Sequence, residues 1–435
     1  MLRRLLVLSA LVLAAVAVFG TSSASAELPP GGTFIDDDGS VHEGSIEAIY
    51  ADGLTVGCDD RGIRYCPRDV VSRGQMAAML ARALNLPRAG QDYFDDDESS
   101  SFEDAINKIA EAQITVGCNP PDNDEYCPDE GVTRGEMATL LVRAFPDLRQ
   151  DGVPDSFSDD DDSVHQDNIN RLAAANITLG CNPPDNDEFC PGDRVTRDQM
   201  ATFLTRVLGL DAMKPPPQLP IERVSSFTTY FDCCLPRVTN IRLIAREVDG
   251  YVVMPGETFS IDEVVGPRTS SGGYVPAPYL QNGQGKCCAV GGGVSQFGTT
   301  IHNAVFWGGY EVDFHRPHTG WISRYPLGIE ATLVYRSIDY RFTNDTVTPV
   351  YIETSSTGTS VTVELWGNQG GWQMRGYHPI GARSSQITVL DQGGSGAKRV
   401  SAAVTGSAPG TVRIVRTLTQ DGDSTSQTWW WNYVS

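Results

Sequence analysis

The stretch CCAVGGGVSQFGTT, residues 287–300, is where helix enters a β-rich half of the chain and where its chemistry has to be decided. Two cysteines lead into three glycines, and Ser295 follows where a helical pattern begins. Phe297, Ile301 and Val305 recur on one face of VSQFGTTIHNAVFW, and Gly308-Gly309 can end that helix. Glycines permit positive φ and close backbone approach. The free N–H groups of a helix start form a ready anion or oxyanion site. Ser295 therefore stands either as a nucleophile or as a plain N-cap, a position serine favours.

Around this helix the chain reads as strands. GYVVMPGETFS, EATLVYRSIDYRFTN, PVYIETS and SVTVELWG are short runs rich in Val, Thr, Tyr and Ile, bounded by Gly, Pro and Asn. Residues 221–367 are read as a β-rich α+β domain and 368–435 as a β extension. The extension's TVRIVRTLTQDGDSTSQTWWW reads as a hairpin over Asp421-Gly422. Trp429 to Trp431 are read as strand packing rather than a sugar platform.

The first half has a different texture, because it repeats itself. GLTVGC ending at Cys58 is answered by QITVGC ending at Cys118 and NITLGC ending at Cys181. VSRGQM, VTRGEM and VTRDQM follow each in turn. Three helix–loop–helix units are expected at about 34–87, 94–146 and 157–210, within an all-α module of residues 27–213. One helix pair cannot bury its apolar face alone, so the three should pack together. KPPPQLP, residues 214–220, is a stiff linker to the second half.

Ser72-x-x-Gln75, Thr133-x-x-Glu136 and Thr196-x-x-Gln199 are capping boxes. Capping does not account for Arg73, Arg134 and Arg197, each in a first turn where the helix dipole disfavours a cation. Three arginines in that slot imply a gain elsewhere. A forked contact to an anionic ligand is the reading adopted, with salt bridges to nearby aspartates as the alternative. The aspartate runs that open each unit (Asp36 to Asp38, Asp95 to Asp97, Asp159 to Asp162) read as capping and dipole chemistry. Calcium is the alternative for such oxygen-rich loops, but none has the spacing of a known calcium loop. No metal ligand and no cofactor is assigned.

Residues 1–26 read as a secretory signal peptide, with Arg3 and Arg4 before an apolar run and Ala24-Ser25-Ala26 as the cleavage site. The mature chain is expected to be secreted and not embedded in a membrane. The full sequence has 33 Lys and Arg against 55 Asp and Glu, so the chain should not coat nucleic acid or anionic lipid. An even count of ten cysteines in an exported chain implies disulfides. Spacing pairs Cys58 with Cys66, Cys118 with Cys127, and Cys181 with Cys190. Since adjacent cysteines seldom bond each other, Cys233 and Cys234 are expected to pair across to Cys287 and Cys288.

The repeats resemble S-layer homology domains in their aromatic-x-Asp opening, their GLTVGC-type segment and their Thr-Arg box. The resemblance implies a three-pronged helical module that anchors proteins to anionic cell-wall polymers, with Arg73, Arg134 and Arg197 at the family's wall-binding arginine. The second half resembles the VanW-like family through RVTNI (237–241), PGETFS (255–260), GPRTSSGGY (266–274), GGGVSQ (291–296), HRPHTGWISRYPLG (315–328) and IDYRFTN (338–344). Some members look like L,D-transpeptidases that cross-link peptidoglycan through a cysteine thioester, and that cysteine falls at Ser295 here. His318 matches the family's histidine and is the candidate base, oriented by Glu330 or Asp339; serine needs such a base within reach. His302, seven residues along the helix, lies roughly 10 Å away. The resulting expectation is a wall-anchored protein. Its VanW-like domain recognises peptidoglycan stem peptides through Gly291, Gly292, Gly293 and Arg268. Serine-based acyl transfer is the alternative, and a structural surface-layer role the second one.

Overall fold

The computed structural model describes residues 28, 30–213, 215, 219–232, 235–281, 284–369, 387–388, 399–420 and 422–434. The signal peptide, Cys233, Cys234 and much of the linker lie outside the described residues. The first half forms three helix–loop–helix units. They are α1 (Glu43–Ala51) with α2 (Arg73–Ala83), α3 (Glu103–Glu111) with α4 (Arg134–Ala144), and α5 (Gln166–Ala174) with α6 (Arg197–Leu208). Helix α2 packs on α3, α4 on α5, and α6 returns to α1, so the arrangement is closed. One apolar core runs through all three units, with Ile46, Ile106 and Ile169 facing Met76, Met137 and Met200. No described helix is long and apolar enough to cross a membrane.

A ring of three backbone hydrogen bonds closes the module. Val71 N–H donates to Val195 O (2.9 Å), Val195 N–H to Val132 O (3.0 Å), and Val132 N–H to Val71 O (2.9 Å). Each valine immediately precedes a capping residue, so the ring also sets where the second helices start. Ser72 and Thr133 form full capping boxes with Gln75 and Glu136. In the third unit Thr196 N–H donates to Gln199 Oε1 at 3.3 Å, while Gln199 N–H goes to Asp198 Oδ1 at 2.7 Å.

Arg73, Arg134 and Arg197 are each engaged by protein groups along one edge of the guanidinium. Each is buried, and each reaches into the cysteine loop of the next unit. Arg73 Nε donates to Tyr126 O (2.7 Å) and its NH2 to Gly117 O (3.2 Å). Arg134 repeats this with Phe189 O (2.7 Å) and Gly180 O (3.3 Å). Arg197 returns to Tyr65 O (2.7 Å) and Gly57 O (3.1 Å). Each guanidinium also lies over the ring of Tyr126, Phe189 or Tyr65, 4.6 to 4.8 Å from its centroid. The gain that offsets the helix dipole is therefore a clamp between units. Among the described residues no ion pair joins these arginines to the nearby aspartates; Arg73 lies 3.5 Å from Glu136 instead. Those loops are closed by Cys58–Cys66, Cys118–Cys127 and Cys181–Cys190, as their spacing implied.

The second half runs β1 (Glu222–Tyr230), α7 (Pro236–Val248), β2 (Tyr251–Val253), β3 (Thr258–Ser260), α8 (Ile261–Val265), β4 (Pro276–Gln281), β5 (Gln284–Val290) and α9 (Ser295–Gly308). It continues with β6 (Glu311–Phe314), β7 (Arg341–Thr343), β8 (Val350–Ser356), β9 (Ser360–Gly367), β10 (Ile387–Thr388), β11 (Arg399–Gly406), β12 (Gly410–Gln420) and β13 (Asp423–Tyr433). Antiparallel sheets form in the orders β1-β9-β8-β2, β3-β7-β6, β4-β5 and β10-β11-β12-β13. Helix α9 lies against β1 and β9, buried from Gln296 onward.

Three sequence expectations change here. Helix α7 was read only as a motif, although Val238, Ile241, Ile244, Ala245 and Val248 line its buried face. Most of EATLVYRSIDYRFTN is not a strand. Ala331 N–H bonds to Thr299 Oγ1 (3.1 Å) and Thr332 N–H to Arg316 O (2.7 Å), so helix and loop take the groups that a ladder would use. The third change concerns cysteines: Cys287 bonds Cys288 rather than the 233/234 pair. The peptide between them is cis and their Cα atoms are 3.1 Å apart.

The C-terminal hairpin turns between Gln420 and Asp423 as expected. It shares its core with the preceding domain through Val400, Ala402, Val412, Ile414 and Tyr433. Arg416, almost wholly buried, donates to the carbonyls of Phe306 (3.0 Å) and Tyr310 (2.8 Å) and so satisfies the end of α9. Trp429 and Trp431 pack around His315, while Trp430 is exposed beneath Arg413.

Because Arg134 clamps two units, Arg134→Ala should destabilise the helical half by about 3 kcal/mol, the worth of two charge-assisted hydrogen bonds. Urea unfolding followed by helical circular dichroism measures this. A loss under about 0.5 kcal/mol, the scatter of ordinary surface substitutions, would show that the clamp carries no load.

Candidate functional site

The glycine turn is built for backbone reasons before any ligand is considered. Gly291 and Gly293 have φ of +80° and +94°, a region costly for other residues. A Cβ on Gly292 would overlap the Ala277 carbonyl oxygen. Asn240 Nδ2 fastens the turn by donating to Val275 O and Gly292 O, both at 2.9 Å. The N–H groups of Gly291, Gly292 and Val294 donate to protein carbonyls. Those of Gly293 and Ser295 have no acceptor among the described residues.

Ser295 is not the helix cap. Val294 holds that position, with helical φ and ψ of −59° and −25° and no side-chain bond. The turn already delivers the chain in helical conformation, so the extended geometry of a serine cap is absent. Ser295 Oγ instead accepts a hydrogen bond from Leu333 N–H at 3.0 Å, tying the helix start to the segment after Glu330.

His318 and Glu330 do come together. His318 Nδ1 lies 2.8 Å from Glu330 Oε2, and Tyr433 Oη donates to Glu330 Oε1 at 3.0 Å. Tyr433 in turn accepts Gly328 N–H at 3.0 Å. Burial pushes the Glu330 carboxyl above the ordinary range, while its bonds to His318 and Tyr433 act in the opposite direction. When Glu330 accepts from His318, Nδ1 carries the proton and a neutral ring keeps Nε2 as an acceptor. Among the described residues no hydrogen bond joins His318 to Ser295. Asp339, the other proposed orienting group, accepts from Ser260 Oγ (2.7 Å) and Asp262 N–H (3.0 Å) instead.

Arg268 reaches the turn, where a Cβ on Gly291 would meet its own at 3.0 Å. Its guanidinium is buried, with NH1 in a salt bridge to Asp262 and with Nε and NH2 lacking a partner among the described residues. His302 and His315 are core residues, stacked at 4.0 Å, and burial pushes His315 down to about 3.

The partly exposed cation at this site is Arg237, to which sequence reasoning gave no role. It donates to Gln296 Oε1 and packs against Gly293 and Tyr325. Gln296 then donates to Thr229 Oγ1 (3.1 Å) and Tyr230 O (2.9 Å), fixing the first turn of α9 to β1. A signal was available, since Arg237 occupies the same dipole-disfavoured first turn as Arg73. Tyr433 had none, lying over 100 residues from Glu330.

Residues 236–366 match the family model described as VanW like protein. This segment is a VanW-like domain. It opens with α7, ends in β9, and contains Arg237, the glycine turn, Ser295, His318 and Glu330, but not Tyr433. The chain is 35% identical over 146 residues to the uncharacterized protein YoaR of Bacillus subtilis (strain 168), which is 33% of this chain and 48% of that protein. It is 25% identical over 193 residues to the S-layer protein sap of Bacillus anthracis, covering 42% of this chain and 22% of that one. With an endoglucanase of Bacillus sp. (strain KSM-635) it shares 29% identity over 170 residues, 38% of this chain and 17% of the enzyme. The chain thus spans about half or less of the length of these relatives.

Tyr433→Phe should leave buried Glu330 Oε1 and Gly328 N–H without a partner, at a cost of about 1–3 kcal/mol. Thermal or urea unfolding of the β-rich half checks this. An unchanged stability would mean that the extension does not support the VanW-like domain's histidine pair.

Proposed function

We propose that the protein is a secreted cell-surface protein in which the helical half anchors to an anionic cell-wall polymer and the VanW-like domain recognises peptidoglycan stem peptides. Relatives named as S-layer proteins support the first part, and closed disulfides suit an oxidising exterior. Because Nε and NH2 of Arg73, Arg134 and Arg197 bond to protein carbonyls, each arginine contributes at most one edge to such a polymer.

The observation that carries the second part is the pairing of a partly exposed Arg237 with the unclaimed N–H groups of Gly293 and Ser295. A peptide carboxylate is the ligand such a set receives. Ser295 Oγ, meanwhile, is engaged by Leu333 and not by His318, which leaves it without a base. The His318–Glu330–Tyr433 chain favours one second reading, acyl transfer on Ser295 after a shift that brings His318 within reach.

Calorimetry with purified stem peptides separates the two. Arg237→Met should weaken binding at least tenfold, about 1.4 kcal/mol, and amidating the peptide's C-terminal carboxylate should do the same. Ser295→Ala should change affinity less than about threefold, on the order of 0.7 kcal/mol. Intact-mass spectrometry after incubation should show no adduct. An acyl group on Ser295 would replace recognition by catalysis, and indifference to Arg237→Met would remove the carboxylate site. For the anchor, the mature chain should sediment with isolated cell walls and fail to do so once their secondary polymer is extracted.

A further inference from the structure

The aspartate run that opens each unit divides into one residue with a structural task and one without. Asp36, Asp96 and Asp159 each accept two backbone N–H groups from the end of the cysteine-closed loop of their own unit. The donors are Tyr65 and Cys66 (2.7 and 2.9 Å), Tyr126 and Cys127 (2.7 Å each), and Phe189 and Cys190 (2.7 Å each). The residue that follows is different. Asp37, Asp97 and Asp160 are at most 1% exposed, and none of their six carboxylate oxygens has a hydrogen-bond partner among the described residues. A buried, unpartnered carboxylate costs several kcal/mol. Here that cost recurs at one position in all three units.

A second carboxylate stands beside each of them, and it arrives by two routes. In the second and third units it is Asp92 and Asp155, held by Asn107 Nδ2 (2.9 Å) and Asn170 Nδ2 (3.1 Å). In the first unit the chain position of Asp92 is Gly32, and the helix position of Asn107 is Glu47. A Cβ on Gly32 would overlap Glu47 Oε1, so the Glu47 carboxylate occupies the space of the missing aspartate side chain. Helix packing alone does not require an acid at that spot; Asn107 and Asn170 show that an amide suffices on the helix. What all three units preserve is a pair of carboxylates, one sealed from water.

The charge balance around the pair is one-sided. Burial first, then Glu47, Glu43, Asp38 and Asp36, push Asp37 up to about 8. Burial with Asp92, Glu103 and Asp96 pushes Asp97 to about 6, and burial with Asp155, Asp159 and Asp161 does the same to Asp160. Each charged neighbour in these three sets is another acid. In the third unit, oxygens of Asp155, Asp160 and Asp161 all lie within 4.8 Å of one another, the spacing of ligands around one ion.

We infer that each unit binds one calcium ion, through Asp37 with Glu47, Asp97 with Asp92, and Asp160 with Asp155 and Asp161. An all-oxygen, carboxylate-rich set selects a hard cation over zinc or copper. Calcium tolerates the irregular geometry of a loop, whereas magnesium demands a near-ideal octahedron. The ion supplies the partner that the buried carboxylates lack and fixes each run against its first helix.

The test uses the mature chain, residues 27–435, stripped with chelator and then equilibrated with calcium chloride. Equilibrium dialysis with elemental analysis should find three calcium ions per chain, and thermal unfolding of the helical half should shift upward by several degrees. Asp160→Asn keeps the shape and removes the charge. It should lower the count to two, yet melt at or above the parent temperature in chelator, because a buried unpartnered charge has gone. If that variant fails to fold, Asp155→Asn, at an exposed position, should give the same loss of one ion. Calcium counts below one per chain at millimolar concentration overturn the inference, as does a count that Asp160→Asn and Asp155→Asn leave unchanged. An equal thermal shift with magnesium chloride overturns the assignment to calcium.

Discussion

Arg73, Arg134 and Arg197 each open a helix whose dipole disfavours them, and each is held there by carbonyl oxygens of the neighbouring unit's loop. Much else in the helical half depends on that contact. It joins the loop that the disulfide closes to the helix that the capping box starts. Because the donors run from the first unit to the second, the second to the third, and the third back to the first, no unit is left with an open end. Around the axis the valine ring donates in the opposite direction, from the first unit to the third, the third to the second, and the second to the first. A two-unit fragment would leave one guanidinium and one loop unmatched, which is why the closed arrangement needs all three.

The second half is organised around an analogous constraint, the ends of helix α9. Its start is fixed by the glycine turn, by Gln296 on β1, and by the Leu333 N–H on Ser295. Its end is fixed by Arg416 from the C-terminal sheet. The same sheet sends Tyr433 to Glu330, and through it to His318. A β extension that reads as an appendage in the sequence therefore carries both the far end of the helix and the outer partner of the histidine pair. The two halves also touch: Arg61, in the first unit's cysteine loop, pairs with Glu257 at 2.8 Å and lies over Tyr251.

These two settings explain why similar residues ended with different tasks. A first-turn arginine is a structural clamp where carbonyls of a neighbouring loop surround it, as at Arg134. At Arg237 the neighbour is the largely buried glycine turn, and part of the side chain stays open to solvent. Likewise Asp36 answers two backbone N–H groups while Asp37, one residue on, meets no donor among the described residues.

The sequence by itself determined the units and their local chemistry. Their period, the capping residues, the three loop disulfides, the glycine turn and the helix behind it all depend on neighbours a few residues apart, and short-range spacing records such neighbours directly. His318 came from the family resemblance, with Glu330 and Asp339 both open as its partner, and only the packing chose Glu330. Helix α7 was equally local and was missed because its apolar spacing was treated as a motif. Only the tertiary structure decided where each arginine's fork goes, that Ser295 is held by Leu333 rather than capping its helix, and that Cys287 bonds its neighbour. It alone placed Tyr433 on Glu330. Those outcomes depend on which distant carbonyl, N–H or carboxylate is packed alongside. A side chain's type limits what it can bond, but the folded chain chooses the partner.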